Sequence, residues 1–387
     1  MYMVNRFGFL PVFIFFIYFG ITLRSLYFQS ISLAPFPVVS MLLSYAFFLK
    51  ALTDRKSINK DIVSFLSILM IFLSLSLLIT LADKDNKLNI NSILGINLNI
   101  LFFLAIYLNR DVFLKYISSL NLVLFVHFSF FFIQLISFHF LGEKIDFLQP
   151  ITGETQRVNG FSSLEANGFS MFRPSGLFNE PGNYAVHVLT IMWLLKVNDK
   201  INHVFEKLLL LSIILSFSLS GMLGVFAYLL ITYNYLKISI RKLIISSVIF
   251  LGLLFYFYDL IFLYITERVG NIGADNSANV RLSAFDAIFD FSEFNQLFGL
   301  GFANDKVDIH LPTIPYFLVT FGFVGFVFAC VIFSYVLYKS NVNRKTYLFF
   351  LAISFQFYTI MHPLFWLFLT LIIISFKNKG EVNYYVQ

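Results

Sequence analysis

A succession of apolar runs, most of them about 17 to 25 residues long, leaves this chain few ways to fold. They begin near Phe7, Ser30, Ile62, Ile93, Ile117, Gly182, Leu243 and Pro312. Each is the length a helix needs to cross the hydrocarbon of a bilayer. Backbone in hydrocarbon must satisfy its own hydrogen bonds, so each run reads as a membrane helix. Two further runs need dividing. Leu208 to Leu236 is too long for one crossing and has Lys207 before it and Lys237, Arg241 and Lys242 after it, so a hairpin through Ser218-Leu219-Ser220-Gly221 is expected. Tyr347 to Phe376 is interrupted by His362-Pro363 and is flanked by Lys345 and Lys377. The fold class is therefore all-α: one polytopic membrane domain over residues 1–387 with about twelve crossings.

Composition excludes the soluble alternative. The chain is 59% hydrophobic and 12% charged, with a mean hydropathy of +0.82, more apolar surface than a water-soluble domain can hide. A coding bias toward Phe, Ile and Lys accounts for the 53 phenylalanines as well as lipid contact does. The net charge of +6 forms no stripe of the kind that binds nucleic acid; its lysines and arginines sit between apolar runs and act as topology signals. Roughly two-thirds of the 27 fall on one set of connections, including Lys50 to Lys60, Lys196 to Lys207 and Lys237 to Lys242. Both chain ends are thus expected in the cytoplasm. The single cysteine, Cys330, lies inside an apolar run and rules out an intramolecular disulfide or a cysteine-based metal site. The first run, after Arg6, has no small-residue cleavage site behind it and reads as a retained helix.

Two long connections remain on the opposite, external side, at about 142–180 and 266–311. The first ends in Arg173-Pro-Ser-Gly176-Leu-Phe-Asn-Glu180-Pro181. Pro181 suits the first position of a helix and Gly176 suits a tight turn. Glu180 then sits at a helix mouth, where the macrodipole favours a carboxylate. Arg173 is placed to fold back over it, and an Arg–Glu pair that only ties loop to helix explains the pattern equally well. In the second loop, Leu282, Phe285, Ile288 and Phe289 share one helical face, which reads as a short amphipathic helix on the outer leaflet, opened by Arg281. A contact with a lipid phosphate accounts for Arg281 nearly as well as a functional role.

His310 precedes the run at Pro312, at the water–lipid boundary, where an imidazole suits proton transfer near neutral pH and equally suits a plain hydrogen-bonded anchor. His127, Gln134, His139 and His187 read as helix-packing or interfacial residues, Ser218 and Ser220 as caps of the hairpin turn, and Arg157 with Gly168 as loop architecture. No H-E-x-x-H, P-loop or G-x-S-x-G pattern occurs where it would function, and no metal or other cofactor is expected.

The element Arg173-x-x-Gly176-x-x-x-Glu180-Pro181 resembles that of the Wzy-type polymerases of bacterial O-antigen and exopolysaccharide. The resemblance continues through Ser218-Leu-Ser220-Gly221-Met, Arg281, Phe298-Gly-Leu-Gly301, His310 and Gly322-Phe-Val-Gly325. It covers about 173–325 and the overall topology. Related sequences often carry an arginine after the serine of the hairpin turn, where this chain has Gly221-Met222.

The resemblance implies a GT-C type glycosyltransferase fold in the bacterial cytoplasmic (inner) membrane, with its active face external. It implies transfer of a glycan chain from undecaprenyl diphosphate to a lipid-linked repeat unit, with a chain-length regulator as a possible partner. In that chemistry Arg173 and Arg281 hold the diphosphate, with Arg157 and Gly176 as further substrate-binding positions, and His310 or Glu180 serves as base. An O-antigen ligase, with lipid A-core as acceptor, is the nearest alternative. A lipid-linked oligosaccharide flippase or other transporter is the alternative from another class, although the strong charges cluster externally and no repeat is visible.

Overall fold

The computed structural model describes residues 9–23, 35–82, 86–152, 156, 164–166, 169–232, 286, 288–308, 311–355 and 359–384. Among these, the chain is helical apart from one antiparallel hairpin. The elements are α1 (Leu10–Thr22), α2 (Pro35–Thr53), α3 (Lys60–Ala82), α4 (Ile90–Leu108), α5 (Arg110–Lys115), α6 (Ser119–Ile136), α7 (Leu148–Thr152), β1 (Leu164–Ala166) and β2 (Phe169–Met171). They continue with α8 (Pro181–Val197), α9 (His203–Leu215), α10 (Leu219–Thr232), α11 (Glu293–Phe298), α12 (Thr313–Lys339), α13 (Arg344–Ile353) and α14 (Pro363–Tyr384). A π-turn at Ser137–Leu141 extends α6 and stops at Gly142, whose φ of 70° ends the coil. The fold is all-helical, as expected; the β1–β2 hairpin, pairing Leu164 with Met171, is a local ladder of three-residue strands within a long connection.

Among the described residues, four helices are long and apolar enough to cross a membrane: Lys60–Ala82, Ile90–Leu108, Ser119–Leu141 and Thr313–Lys339. The chain is a membrane-embedded protein. Shorter apolar helices occur at Leu10–Thr22, Val39–Thr53, Leu219–Thr232 and Pro363–Lys377. Both long runs divide where the sequence places breaks. α9 ends at Leu215 and α10 begins at Leu219, with Phe217 between them at φ 48°. Pro363 starts α14 after the turn at His362. Caps come from the sequence as well: the Asn89, Asn202 and Asn343 side chains accept from Ser92, Val204 and Thr346 amides.

α8 and α14 form the centre. Every residue from Tyr184 to Leu195, and from Leu364 to Ser375, is buried. They pack on each other; α4 covers α14, while α6, α9 and α10 cover α8. Gly221 lets α10 approach α8 closely, since a Cβ there would lie 2.8 Å from that of Ala185. Trp193 stacks on Phe349 of α13 at 4.2 Å and donates to Thr346 at 3.2 Å.

α12 is broken at Gly322, with φ 65° and ψ −173°. The break leaves the carbonyls of Val319 and Thr320 to accept from Leu300 (3.0 Å) and Gly301 (2.9 Å). On its other side this strand-like segment is held by α3. The Phe302 amide donates to Ser76 Oγ at 2.9 Å, and Thr80 donates to the Phe302 carbonyl at 2.8 Å. The Asn89 amide donates to the Ala303 carbonyl at 2.7 Å, so the irregular backbone is satisfied from both flanks, as buried backbone requires.

Candidate functional site

The segment Arg173–Glu180 is a pinned turn above the α6–α8 contact. Gly176 has φ 60°, and a Cβ there would meet the His127 carbonyl at 3.2 Å and the Phe131 amide nitrogen at 3.3 Å. The turn therefore lies directly on α6, and glycine supplies both its left-handed backbone and its close approach. Gln134 of α6, fully buried, grips it: Oε1 accepts from Ser175 N at 3.0 Å and Gly176 N at 2.8 Å. Its Nε2 donates to the Ile145 carbonyl at 2.8 Å and to Gln156 Oε1 at 2.7 Å. Gln156 in turn donates to the Gly176 carbonyl and, at 3.0 Å, to that of Phe178. Two buried glutamines thus take the place of secondary structure in the turn. Sequence reading assigns Gln134 to helix packing and passes over Gln156; an uncharged amide in an apolar span was the only signal available.

Phe178 drops from the turn between two histidines, its ring 4.7 Å from His127 and 4.4 Å from His187. His127 contacts Thr22 Oγ1 at 2.6 Å, and His187 Nδ1 donates to the Asn183 carbonyl at 2.8 Å. Both are fully buried, in keeping with a packing role.

Glu180 is the N-cap of α8 in extended conformation (φ −140°, ψ 148°), with Pro181 at the first helical position, as expected. Its carbonyl accepts from Asn183 at 3.1 Å and Tyr184 at 3.2 Å. Arg173 and Glu180 are both half-buried, and no ion pair joins them. Arg173 Nε instead donates to the Phe217 carbonyl at 3.2 Å, in the turn between α9 and α10. That contact fixes the plane of the guanidinium, and among the described residues its Nη atoms make no hydrogen bond.

The α9–α10 turn belongs to the same cluster. Ser218 Oγ accepts from the Gly221 amide at 3.2 Å and lies 3.0 Å from Ser220 Oγ, which makes Ser218 the cap expected of it. A Cβ on Gly182 would sit 3.3 Å from Ser220 Oγ and 3.6 Å from Ser218 Oγ, so both hydroxyls border the first turn of α8.

The structure therefore brings together Arg173, Gly176 and Glu180 with Ser218 and Ser220. Arg157, Arg281 and His310 lie outside the described residues, as do Gly168 and the run from Leu243. In the second loop, Ile288 is buried in the core while Phe289 is 70% exposed. This corrects the expectation that the two share one lipid-facing surface: consecutive helical residues point about 100° apart, and the protein takes one of them. No group of three or more His, Cys, Asp or Glu positioned to hold a metal occurs among the described residues. Comparison of the chain with known protein families, curated proteins and solved structures finds no match.

Proposed function

We propose that this chain is a Wzy-type polysaccharide polymerase of the bacterial cytoplasmic membrane. It crosses the membrane about twelve times with both ends in the cytoplasm, and its Arg173–Glu180 turn belongs to an externally facing active site. The observation that carries the reading is the state of Arg173: half-buried, anchored by Nε to Phe217, with its Nη fork uncommitted among the described residues. A planar, permanently charged fork held in one orientation matches the oxygens of a diphosphate. The rigid turn under it, gripped by Gln134 and Gln156, supports a preorganised site, since donors already aimed where charge develops need no rearrangement during reaction.

In the proposed reaction the acceptor sugar hydroxyl attacks the anomeric carbon of the growing chain. The bond from that carbon to the undecaprenyl diphosphate oxygen breaks, and its electron pair leaves with the diphosphate. Arg173 and Arg281 stabilise the departing charge and Arg157 adds a substrate contact, while Gly176, expected as a further contact, has its amide and carbonyl taken by Gln134 and Gln156 and serves to shape the turn. The hydroxyl proton passes to His310 or Glu180. Loss of the base would lower turnover while leaving substrate binding in place.

The test is a surface-polysaccharide gel from a strain lacking this protein, beside strains complemented with wild type and with Arg173→Ala. For a source with lipopolysaccharide, a single repeat on the core and no ladder is the expected result for both the deletion and the variant. Bare core in the deletion strain would reject polymerase in favour of ligase or flippase. A normal ladder from Arg173→Ala at normal abundance would remove the arginine from its role.

A further inference from the structure

Arg173 is anchored in the turn between α9 and α10, and two serines follow that anchor directly. The Phe217 carbonyl accepts from Arg173 Nε at 3.2 Å and shares a peptide unit with the Ser218 amide. Ser218 Oγ lies 3.0 Å from Ser220 Oγ. On the other side, a Cβ on Gly182 would come 3.3 Å from Ser220 Oγ, and Gly182 is two residues from Glu180. Ser220 therefore stands between the anchor of the arginine and the start of α8. Arg173, Glu180, Gly182 and Ser220 are all half-buried, whereas Ser218 is 3% exposed.

The two serines are not equivalent. Ser218 caps α10 by accepting from the Gly221 amide at 3.2 Å, and one cap is enough. Ser220, expected as a second cap, bonds no backbone group among the described residues. Serines in helices commonly spend the hydroxyl on a carbonyl three or four residues earlier, as Ser129, Ser212, Ser216 and Ser354 do here. Three residues before Ser220 that carbonyl belongs to Phe217, and it receives Arg173 instead.

Two hydroxyls carry two hydrogens. One lies between Ser218 Oγ and Ser220 Oγ, and the other meets no acceptor among the described residues. Ser218 is closed off from solvent, so the order in which Ser218 donates to Ser220 places the spare hydrogen where a ligand can reach it. In that order the Gly221 amide, Ser218 and Ser220 form one chain of donors, each polarising the next.

We propose, building on the polymerase reading, that Ser220 is a substrate-binding residue whose Oγ–H donates to a phosphate oxygen of the lipid-linked glycan, beside the Arg173 fork. The starts of α8 and α10 meet at this point, and their positive ends favour the same anion. A hydroxyl adds recognition to the arginine without adding a second charge to desolvate.

The measurement is binding of farnesyl diphosphate to the purified full chain in maltoside micelles, with farnesol and inorganic diphosphate as controls and thermal unfolding of each variant alongside. Ser220→Ala loses one hydrogen bond to a charged group, so binding should weaken about tenfold with the unfolding temperature unchanged. Ser220→Thr keeps the hydroxyl and should bind within about threefold of wild type. Ser218→Ala removes the cap and should lower the unfolding temperature.

Wild-type affinity for Ser220→Ala, equal losses for Ala and Thr, or a fall in unfolding temperature for Ser220→Ala matching that of Ser218→Ala would overturn the proposal. Inorganic diphosphate bound as tightly as the farnesyl ester would overturn its assignment to a lipid-linked ligand. Arg173→Ala run in parallel keeps the two readings apart. If Arg173→Ala weakens binding and Ser220→Ala does not, the inference on Ser220 fails alone. If wild type does not prefer farnesyl diphosphate over farnesol, the diphosphate reading of the site fails with it.

Discussion

Replacing Gln134 by leucine removes the acceptor of two buried backbone amides, Ser175 N and Gly176 N, without opening a large cavity. Leucine fills much of the same volume, so the cost falls chiefly on hydrogen bonding. A buried donor left unsatisfied costs about 1–3 kcal/mol, and two of them cost about 2–6 kcal/mol. Loss of the Nε2 bonds to Ile145 and Gln156 acts in the same direction. Because the damage is confined to one turn on the surface of α6, the expected response is local opening of the 173–180 segment while α6 and α8 stay folded.

Amide hydrogen exchange on the protein in nanodiscs reads this directly. At tenfold per 1.4 kcal/mol, Ser175 and Gly176 should exchange roughly thirty-fold to twenty-thousand-fold faster, with the Tyr184–Leu195 amides unchanged. Gln156→Met removes the bonds to the Gly176 and Phe178 carbonyls but leaves Gln134 Oε1 in place for both amides, and Phe178 keeps its bond from Ser175 Oγ, so it should accelerate exchange much less. Wild-type protection of Ser175 and Gly176 in the leucine variant, or equal acceleration in both variants, would refute the account of how the turn is held.

Other consequences follow from single contacts. Gly301→Ala would put a Cβ 2.3 Å from Thr80 Oγ1 and 2.6 Å from its amide, at φ 92°, and should abolish accumulation of folded protein. Gly142→Ala, at φ 70° with nothing within 4 Å, should cost only the left-handed backbone penalty of about 1–2 kcal/mol; membrane abundance of tagged protein reads the first and thermal unfolding in detergent the second. Glu206 is 1% exposed, paired with Lys196 at 2.9 Å and accepting from Tyr228 at 2.7 Å. Glu206→Ala should destabilise by about 3–5 kcal/mol, with Lys196→Met in the same chain recovering part of the loss in a double-mutant cycle. Arg173→Lys should resemble Arg173→Ala in a polymer-length assay, because an ammonium cannot bond Phe217 and present a planar fork together.

The points at which helices break were legible because they depend on local chemistry. Pro181 and Pro363 begin helices since proline lacks the amide a helix start leaves unbonded, and Ser218 caps the turn after α9. The Arg173–Glu180 turn was legible as a candidate site from its glycine, proline and charges. The partners of its side chains were not. Sequence spacing allows Arg173 to fold back over Glu180, seven residues on, whereas its Nε donates to the Phe217 carbonyl, 44 residues away.

What the sequence determined by itself is residence in a membrane and, among the described residues, the breaks before α10 and α14. These follow from the bilayer acting as solvent on each segment separately. The tertiary structure decided which faces meet: Gln134 under the turn, Ser76 and Thr80 around Phe302, and His362 against His187. In water, a helix announces its buried face by its apolar stripe. In lipid both faces are apolar: on α3, Phe65, Leu69 and Phe72 are buried while Ile68, Ile71 and Leu75 are exposed, and residue type does not distinguish them.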